Sequence, residues 1–205
     1  MRGRITGVII LIAATIASAV AAYELGINPP IGNVAGAFAS IAVLVLVSRI
    51  IKVSDTLFYS GLVFVFMASP MGSVINLYRS FDPYDKIVHL ISGFLLAALG
   101  MLIMEKALQK RLTMNGKSQK LEKLMKRANR KSDFAVFAGP MIFAACMFSG
   151  AGAGLWEIFE FVADKVAGGE MQRGMVDTVT DMIAGNIGAL VYGVAAGTGL
   201  INTRR

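Results

Sequence analysis

The composition of the chain indicates a membrane protein. Of its 205 residues, 56% are apolar and only 16% are charged, whereas soluble domains average about 45–50% apolar and about 25% charged residues. These values exclude an ordinary soluble enzyme and a disordered chain, and the single cysteine, Cys146, excludes a disulfide scaffold. We interpret Cys146 as a small buried apolar residue. The net charge is +7, and its interpretation depends on where the basic residues lie along the chain.

Six apolar segments are long enough to cross a bilayer, which requires about 20 helical residues. They run from Ile5 to Ala22, Val34 to Ile51, Thr56 to Tyr78, Ile87 to Met104, Phe134 to Val162 and Val176 to Ile201. The predicted fold class is therefore all-α: one integral membrane domain over residues 1–205, built as a polytopic bundle of about six transmembrane helices. The first segment is interpreted as a retained anchor, because its apolar run exceeds the about 7–15 residues of a signal peptide.

The basic residues predict the orientation of the bundle, because Lys and Arg concentrate in cytoplasmic loops. With both termini cytoplasmic, all but four of the 20 Lys and Arg residues lie inside. The four exceptions are Arg79, Lys86, Lys165 and Arg173. Residues 105–133 form a basic cytoplasmic loop between the fourth and fifth helices. This loop either lies on an anionic inner leaflet or only fixes the topology. No recognition fold or aromatic platform accompanies the charge, so nucleic acid is not an expected partner.

Ionisable side chains gather at one predicted end of three helices. They are Asp82, Asp85 and His89 at the start of the fourth helix, Glu157, Glu160 and Asp164 at the end of the fifth, and Asp177, Asp181 and Asn186 at the start of the sixth. Spacings of three or four residues place each pair of acidic or His residues on one helix face. Ionisable groups inside a membrane indicate function by default. By the predicted topology, all three groups lie on the extracytoplasmic side.

A site that holds a divalent metal would explain this convergence, since a cation compensates the repulsion between carboxylates. The predicted metal ligands are Glu157, Glu160, Asp181 and His89. The predicted catalytic residues are His89, Asp85 and Asp177. His89 is the only histidine, so an all-imidazole zinc site is excluded. Mg, Mn, Ca or a mixed His/carboxylate Zn site is expected.

Structural roles are the alternative for part of this group. Asp82, Asp85 and Asp177 stand where acidic residues cap helix N-termini and interact with the helix dipole. A salt bridge to Lys86 or Arg173 explains part of the remaining charge. His89, Glu157, Glu160 and Asp181 lie a turn or more inside the apolar segments, where capping does not account for them.

Three motifs in this order resemble a known protein family. They are Asp85-Lys86-Ile87-Val88-His89, Trp156-Glu157-Ile158-Phe159-Glu160, and Asp177-Thr178-Val179-Thr180-Asp181 followed by Asn186 and Gly188. Over residues 82–192, excluding the basic loop, the chain resembles the uncharacterised YjdF-like inner-membrane proteins and, more distantly, the VanZ-like family associated with glycopeptide resistance. The resemblance implies a multi-pass protein of the cytoplasmic membrane with a shared polar site, and it implies no reaction.

Three functions of different classes are compatible with these residues. The first is a metal-assisted enzyme that acts on a lipid or lipid-linked head group in the outer leaflet. The second is a proton- or cation-coupled transporter, for which a homodimer could supply the missing internal repeat. The third is a non-catalytic membrane stabiliser or partner protein. No phosphatase, serine-nucleophile or zincin motif is present, so the sequence leaves enzymatic activity open.

Overall fold

The computed structural model describes residues 2–114, 131–168 and 171–201, and their secondary structure is helical. Six of the helices are long and apolar enough to cross a membrane, which confirms the predicted polytopic all-α bundle. The helices are α1 (Arg2–Glu24), α2 (Ile31–Ile51), α3 (Asp55–Phe66), α4 (Leu77–Ser80), α5 (Pro83–Met114), α6 (Lys131–Ala167) and α7 (Met175–Gly197). A π-helical segment, Met67–Val74, continues α3, and α4 is a single short turn outside the spans. The part of the predicted basic loop between α5 and α6, residues 115–130, lies outside the described residues.

The third span ends earlier than its hydropathy predicts. Pro70 lies inside the π-helical segment, and proline cannot donate the backbone hydrogen bond that a regular helix needs. The Tyr84 hydroxyl donates to the carbonyl oxygen of Met67 at 2.7 Å. Asn76 then adopts a left-handed conformation with φ of 69°, which turns the chain into α4. Tyr78, the predicted end of the third helix, therefore belongs to α4.

The fourth span begins earlier than predicted, at Pro83 rather than Ile87. Proline suits the first position of a helix, where its missing N–H has no intrahelical partner and its fixed φ is already helical. The early start has a consequence for the acidic residues. Asp85 and Lys86 lie in the first turn and a half of α5, on the same helix as His89, as the spacing of Asp85 and His89 predicts.

Helices α5, α6 and α7 pack closely through small residues. A Cβ atom at Gly93 would lie 1.9 Å from the carbonyl oxygen of Gly185, and one at Gly188 would lie 1.9 Å from that of Leu90. The backbones of α5 and α7 are therefore in direct contact, as small residues allow between membrane helices. Ser149 of α6 is fully buried and donates to the carbonyl oxygen of Gly93 at 2.8 Å. These three helices form one unit.

Helices α1, α2 and α3 form a second unit around an apolar core. Leu11, Ile41, Phe58, Leu62 and Val65 are buried there, and Leu99 and Leu102 of α5 pack against them. The outer faces of the bundle carry exposed large apolar side chains on α1, α2, α6 and α7. In a membrane these faces contact lipid.

Polar contacts hold one end of this second unit together and join it to α5. Arg4 Nε lies 2.6 Å from Asp55 Oδ1. Lys106 Nζ donates to the carbonyl oxygen of Ile51 at 2.6 Å. The start of α1, the end of α2, the start of α3 and the C-terminal part of α5 therefore lie at the same end of the bundle.

Cys146 is buried, in agreement with its interpretation as a core residue, and its thiol donates to the carbonyl oxygen of Ala189 at 3.3 Å.

Candidate functional site

The candidate site lies where the first turns of α5 and α7 meet the later part of α6. His89, Glu157 and Asp181 are 7%, 4% and 1% exposed, and Asp85 adjoins them on α5. His89 and Asp181 are each six residues past the first residue of their helix, which is roughly 9 Å along the axis. The close packing of α5 on α7 brings the two residues to the same depth.

The imidazole of His89 is the centre of the site. Its Nε2 atom lies 3.5 Å from Asp85 Oδ1, 4.0 Å from Glu157 Oε1 and 4.0 Å from Asp181 Oδ1. Asp85, His89 and Asp181 each offer one ligand atom, and these atoms all lie within 4.8 Å of one another. Ligands held at about 2.0–2.2 Å from a tetrahedral metal stand about 3.5 Å apart. Small side-chain movements would therefore bring this group to coordination distance.

Glu157 has a buried carboxylate oxygen that no protein group in the site contacts by a hydrogen bond. Its Oε1 atom is the one buried side-chain polar atom, in the described part of the chain, that has no hydrogen-bond partner. Burying an unsatisfied polar group costs about 1–3 kcal/mol, and more for a charged one. The atom faces His89 at 4.0 Å. An ion or water between the two residues would satisfy it.

Lys86 and Arg173 cross-link the acidic residues at the mouth of the site. Lys86 Nζ lies 2.7 Å from Asp177 Oδ1 and 2.6 Å from Asp181 Oδ1. Arg173 donates to Asp85 through Nη2 and lies 3.2 Å from Asp177 Oδ2 through Nε. Both cationic side chains are about one third exposed, whereas the four carboxyl groups below them, including Glu157, are much less so. Four carboxyl groups therefore share two permanent cations, so acidic groups outnumber permanently basic ones in the site.

The loop before α7 holds Arg173 over the site. The carboxylate of Asp164 accepts from the backbone N–H groups of Met171 and Gln172 at 2.9 and 2.8 Å. Arg173 Nη1 also donates to the carbonyl oxygen of Tyr78 at 3.0 Å. Burial opposes the charge of Arg173, but the carboxylates of Asp85 and Asp177 outweigh it and raise its pKa. The guanidinium therefore remains a cation at the mouth of the site.

The structure brings some of the predicted site residues together and leaves others apart. Those it brings together are Asp85, His89, Glu157, Asp177 and Asp181. Glu160 instead accepts a hydrogen bond from the indole Nε1 of Trp156 at 2.8 Å, and that indole is on a residue that is 48% exposed. Asn186 donates to the carbonyl oxygen of Met182, and Asp82 is exposed. Asp85 and Asp177, for which capping was an alternative, form ion pairs between elements.

Three contributors were not assigned to the site from the sequence. The sequence indicates Lys86 and Arg173 only as partial salt-bridge partners, and Tyr78 only as the end of the third apolar segment. Their location does point to a role in the site, because Lys86 and Arg173 are two of the four basic residues that the predicted topology places on the extracytoplasmic side, with the acidic residues. Tyr78 packs edge-on against Tyr84 with ring centroids 5.5 Å apart. Burial, followed by the nearby charge of Asp85, raises the pKa of its phenol well above the usual value, so it remains a hydrogen-bond donor.

Comparison with known proteins gives a family and no reaction. A family model described as "Predicted membrane protein (DUF2238)" matches residues 4–202. The match covers nearly the whole chain, so the chain belongs to this family and is a multi-pass membrane protein. No curated protein and no solved structure matches the chain. The family match agrees with the expected membership of an uncharacterised membrane family, and nothing in these comparisons supports the VanZ-like resemblance.

Proposed function

We propose that this member of the family is a membrane enzyme that binds a divalent metal at its buried His/carboxylate site and acts on the phosphate-bearing head group of a lipid or lipid-linked substrate. The observation that carries the proposal is the unpartnered Oε1 atom of Glu157, 4.0 Å from His89 Nε2. His89, Asp85 and Asp181 complete the ligand set. A mixture of one imidazole and carboxylates suits Zn or Mn, and the carboxylates alone suit Mg or Ca.

The depth of the site favours a head-group substrate. The span Pro83–Leu108 has 26 residues and is about 39 Å long, so its midpoint lies about 20 Å from either end. His89 lies roughly 9 Å from the start of the helix, closer to the lipid head groups than to the middle of the bilayer. Transporters of known architecture bind their substrates near the midplane. The position of His89 therefore favours an enzyme over a carrier.

The cations at the mouth of the site match a phosphate. Arg173 and Lys86 are partly exposed and stand above the buried carboxylates. A bound divalent ion would take over part of the charge compensation that these two residues now supply to the acids. Their N–H groups would then be available for the oxygens of a phosphate, which guanidinium groups bind in a bidentate manner.

In the proposed reaction, the metal and the carboxylate of Asp177 have separate roles. A divalent ion held by these residues would act as a Lewis acid on a phosphoryl oxygen and would lower the pKa of bound water. Asp177 stands at the mouth beside Lys86 and Arg173 and lies outside the proposed ligand set. It is the residue that we assign to proton transfer, since a general base must reach the attacking group.

Metal analysis of purified protein tests the proposal with a matched pair of variants. Glu157→Gln and Glu160→Gln change the same residue type on the same helix, but only Glu157 faces His89. After incubation with Mn, Zn, Mg or Ca and removal of free ion, the wild type is expected to retain about one equivalent of one metal. Glu157→Gln should lose the metal and Glu160→Gln should keep it, which would also remove Glu160 from the predicted ligands.

The metal-loaded protein is then assayed on phospholipid vesicles for release of phosphate or head group. Asp177→Asn should lower turnover while the metal content stays unchanged. A folded wild type without metal, or equal metal loss in both glutamine variants, would overturn the metal site. Metal-independent proton or cation flux in liposomes would favour the carrier instead.

A further inference from the structure

A groove on the lipid-facing side of α1 and α2 has the features of a lipid site. Its volume is about 380 Å³, and its lining includes Val8, Ile12, Phe38, Val45, Leu46 and Arg49. Arg49 is the only charged residue in the lining. The groove is separate from the acidic site, because the end of α2 contacts Lys106 near the C-terminal part of α5, whereas the acidic site lies at the start of α5.

The length of the groove matches one leaflet of a bilayer. Phe38 and Arg49 are eleven residues apart on α2, which is about 16 Å along the helix axis. The hydrocarbon core of a bilayer is about 30 Å thick, so one leaflet occupies about half of that. Arg49 stands two residues before the end of α2. The apolar part of the groove therefore lies at acyl-chain depth, and its charged end lies at the level of the head groups.

Arg49 has no hydrogen-bonding or ion-pair partner in the described part of the chain. Its side chain is exposed and forms neither an ion pair nor a hydrogen bond with the described residues. A basic residue in the last turn of a helix often serves its terminal carbonyl groups. At the end of α2 this role belongs to Lys106, whose Nζ donates hydrogen bonds to the carbonyl oxygens of Ile51 and Lys52 at 2.6 and 3.0 Å. The nearby acid Asp55 is paired with Arg4.

We infer that the groove holds one acyl chain of an anionic phospholipid and that Arg49 binds the phosphate of its head group. In the groove the acyl chain contacts apolar side chains instead of the surrounding lipid tails. This exchange of one apolar contact for another gives no preference among lipids. The selectivity comes from Arg49, because a guanidinium and a phosphate form charge-assisted bidentate hydrogen bonds. Lys52 at the end of the same helix is also exposed and adds positive charge at head-group level.

Native mass spectrometry of the detergent-solubilised protein tests this inference with phosphatidylglycerol, phosphatidylcholine and inorganic phosphate as probes. The wild type should bind phosphatidylglycerol about tenfold more tightly than phosphatidylcholine, the ratio expected for one charge-assisted contact. Arg49→Gln should abolish that preference. Arg2→Gln, which removes the same charge from an exposed residue near the same end of the bundle, should retain it. Ala42 also lines the groove, so Ala42→Phe, which fills the groove and leaves Arg49 in place, should release both lipids.

Several outcomes would overturn the inference. Equal loss in Arg49→Gln and Arg2→Gln would show attraction by general surface charge. Retention of lipid in Ala42→Phe would show that the acyl chain lies elsewhere. Binding of inorganic phosphate with the same dependence on Arg49 would show a simple anion site. A dimer that Ala42→Phe dissociates would show that a second copy of the chain covers the groove.

Discussion

Replacing Gly188 by alanine tests the backbone contact that holds α5 against α7. The new Cβ would lie 1.9 Å from the carbonyl oxygen of Leu90, well inside van der Waals contact, and a backbone atom has little freedom to move. Overpacking of a tight interface costs about 1–3 kcal/mol, and a backbone obstacle places this case near the upper limit. Alanine recovers about 0.8–1.0 kcal/mol of helix propensity. We expect a net loss of about 2 kcal/mol in the free energy of unfolding.

Gly154→Ala provides the control within the same three-helix unit. The Cβ added there would lie 3.7 Å from Met182 Cε, an ordinary contact with the end of a flexible side chain. This variant should gain up to about 1 kcal/mol from helix propensity. The chain has one tryptophan, Trp156, so its fluorescence during heating in detergent reports on both variants. With about 2–4 °C per kcal/mol for chains of this size, Gly188→Ala should lower the midpoint by about 4–8 °C. A midpoint equal to that of Gly154→Ala would refute the close approach of the two helices.

Two further predictions concern polar contacts. Lys86→Met removes the cation that joins α5 to Asp181. It should cost about 1–3 kcal/mol, less than the 3–5 kcal/mol of a fully buried pair because Lys86 is one third exposed, and adding Asp181→Asn should restore part of the thermal stability. Tyr84→Phe removes the hydrogen bond to the carbonyl oxygen of Met67 and should lower the unfolding free energy by about 0.5–1.5 kcal/mol, while Tyr59→Phe, on a partly exposed residue of α3, should leave it unchanged. An equal effect of both phenylalanine variants would contradict the assigned role of the hydroxyl.

Hydropathy was sufficient to predict the six spans, because membrane helices differ from soluble ones in a property that adds along the sequence. Hydropathy is less reliable for the ends of the spans, where the local backbone conformation decides at which residue a helix begins or ends. Hydropathy extends the third span to Tyr78, because it does not register a change of backbone conformation such as the π-helical segment around Pro70 or the left-handed Asn76. The fourth apolar segment begins only at Ile87 because Asp85 and Lys86 are charged, whereas the helix itself begins at Pro83, a residue that suits the first helical position.

The spacing of the acidic residues predicts which side chains share a helix face, but not which of them face a neighbouring helix. Spacing along each helix predicts that Asp85 shares a face with His89 and Asp177 with Asp181. In the structure Asp85 Oδ1 lies 3.5 Å from His89 Nε2, and Asp177 and Asp181 both contact Lys86. Spacing does not give the rotation of one helix relative to another. Glu157 and Glu160 were treated alike, yet only Glu157 faces α5, while Glu160 bonds the exposed Trp156.

The ion pairs of Lys86 are a second feature of the site that local sequence patterns do not predict. The ion pairs of Lys86 with Asp177 and Asp181 join residues 91 and 95 positions apart, and no local pattern predicts such a contact. Only the unusual location of Lys86 and Arg173 among the acidic residues pointed to them.

The same separation along the chain has a consequence for how the protein is made. Ribosomes add about 5–20 residues per second, so about 5–20 s pass between synthesis of Lys86 and synthesis of its partners on α7. During that interval α5 carries its charges without Asp177 or Asp181. The neighbouring Asp85 and Lys86, whose charged atoms are 3.8 Å apart in the folded protein, can compensate each other at the membrane surface. Helix α7 thus completes the charge balance of α5, and truncation before α7 leaves Lys86 without Asp177 and Asp181.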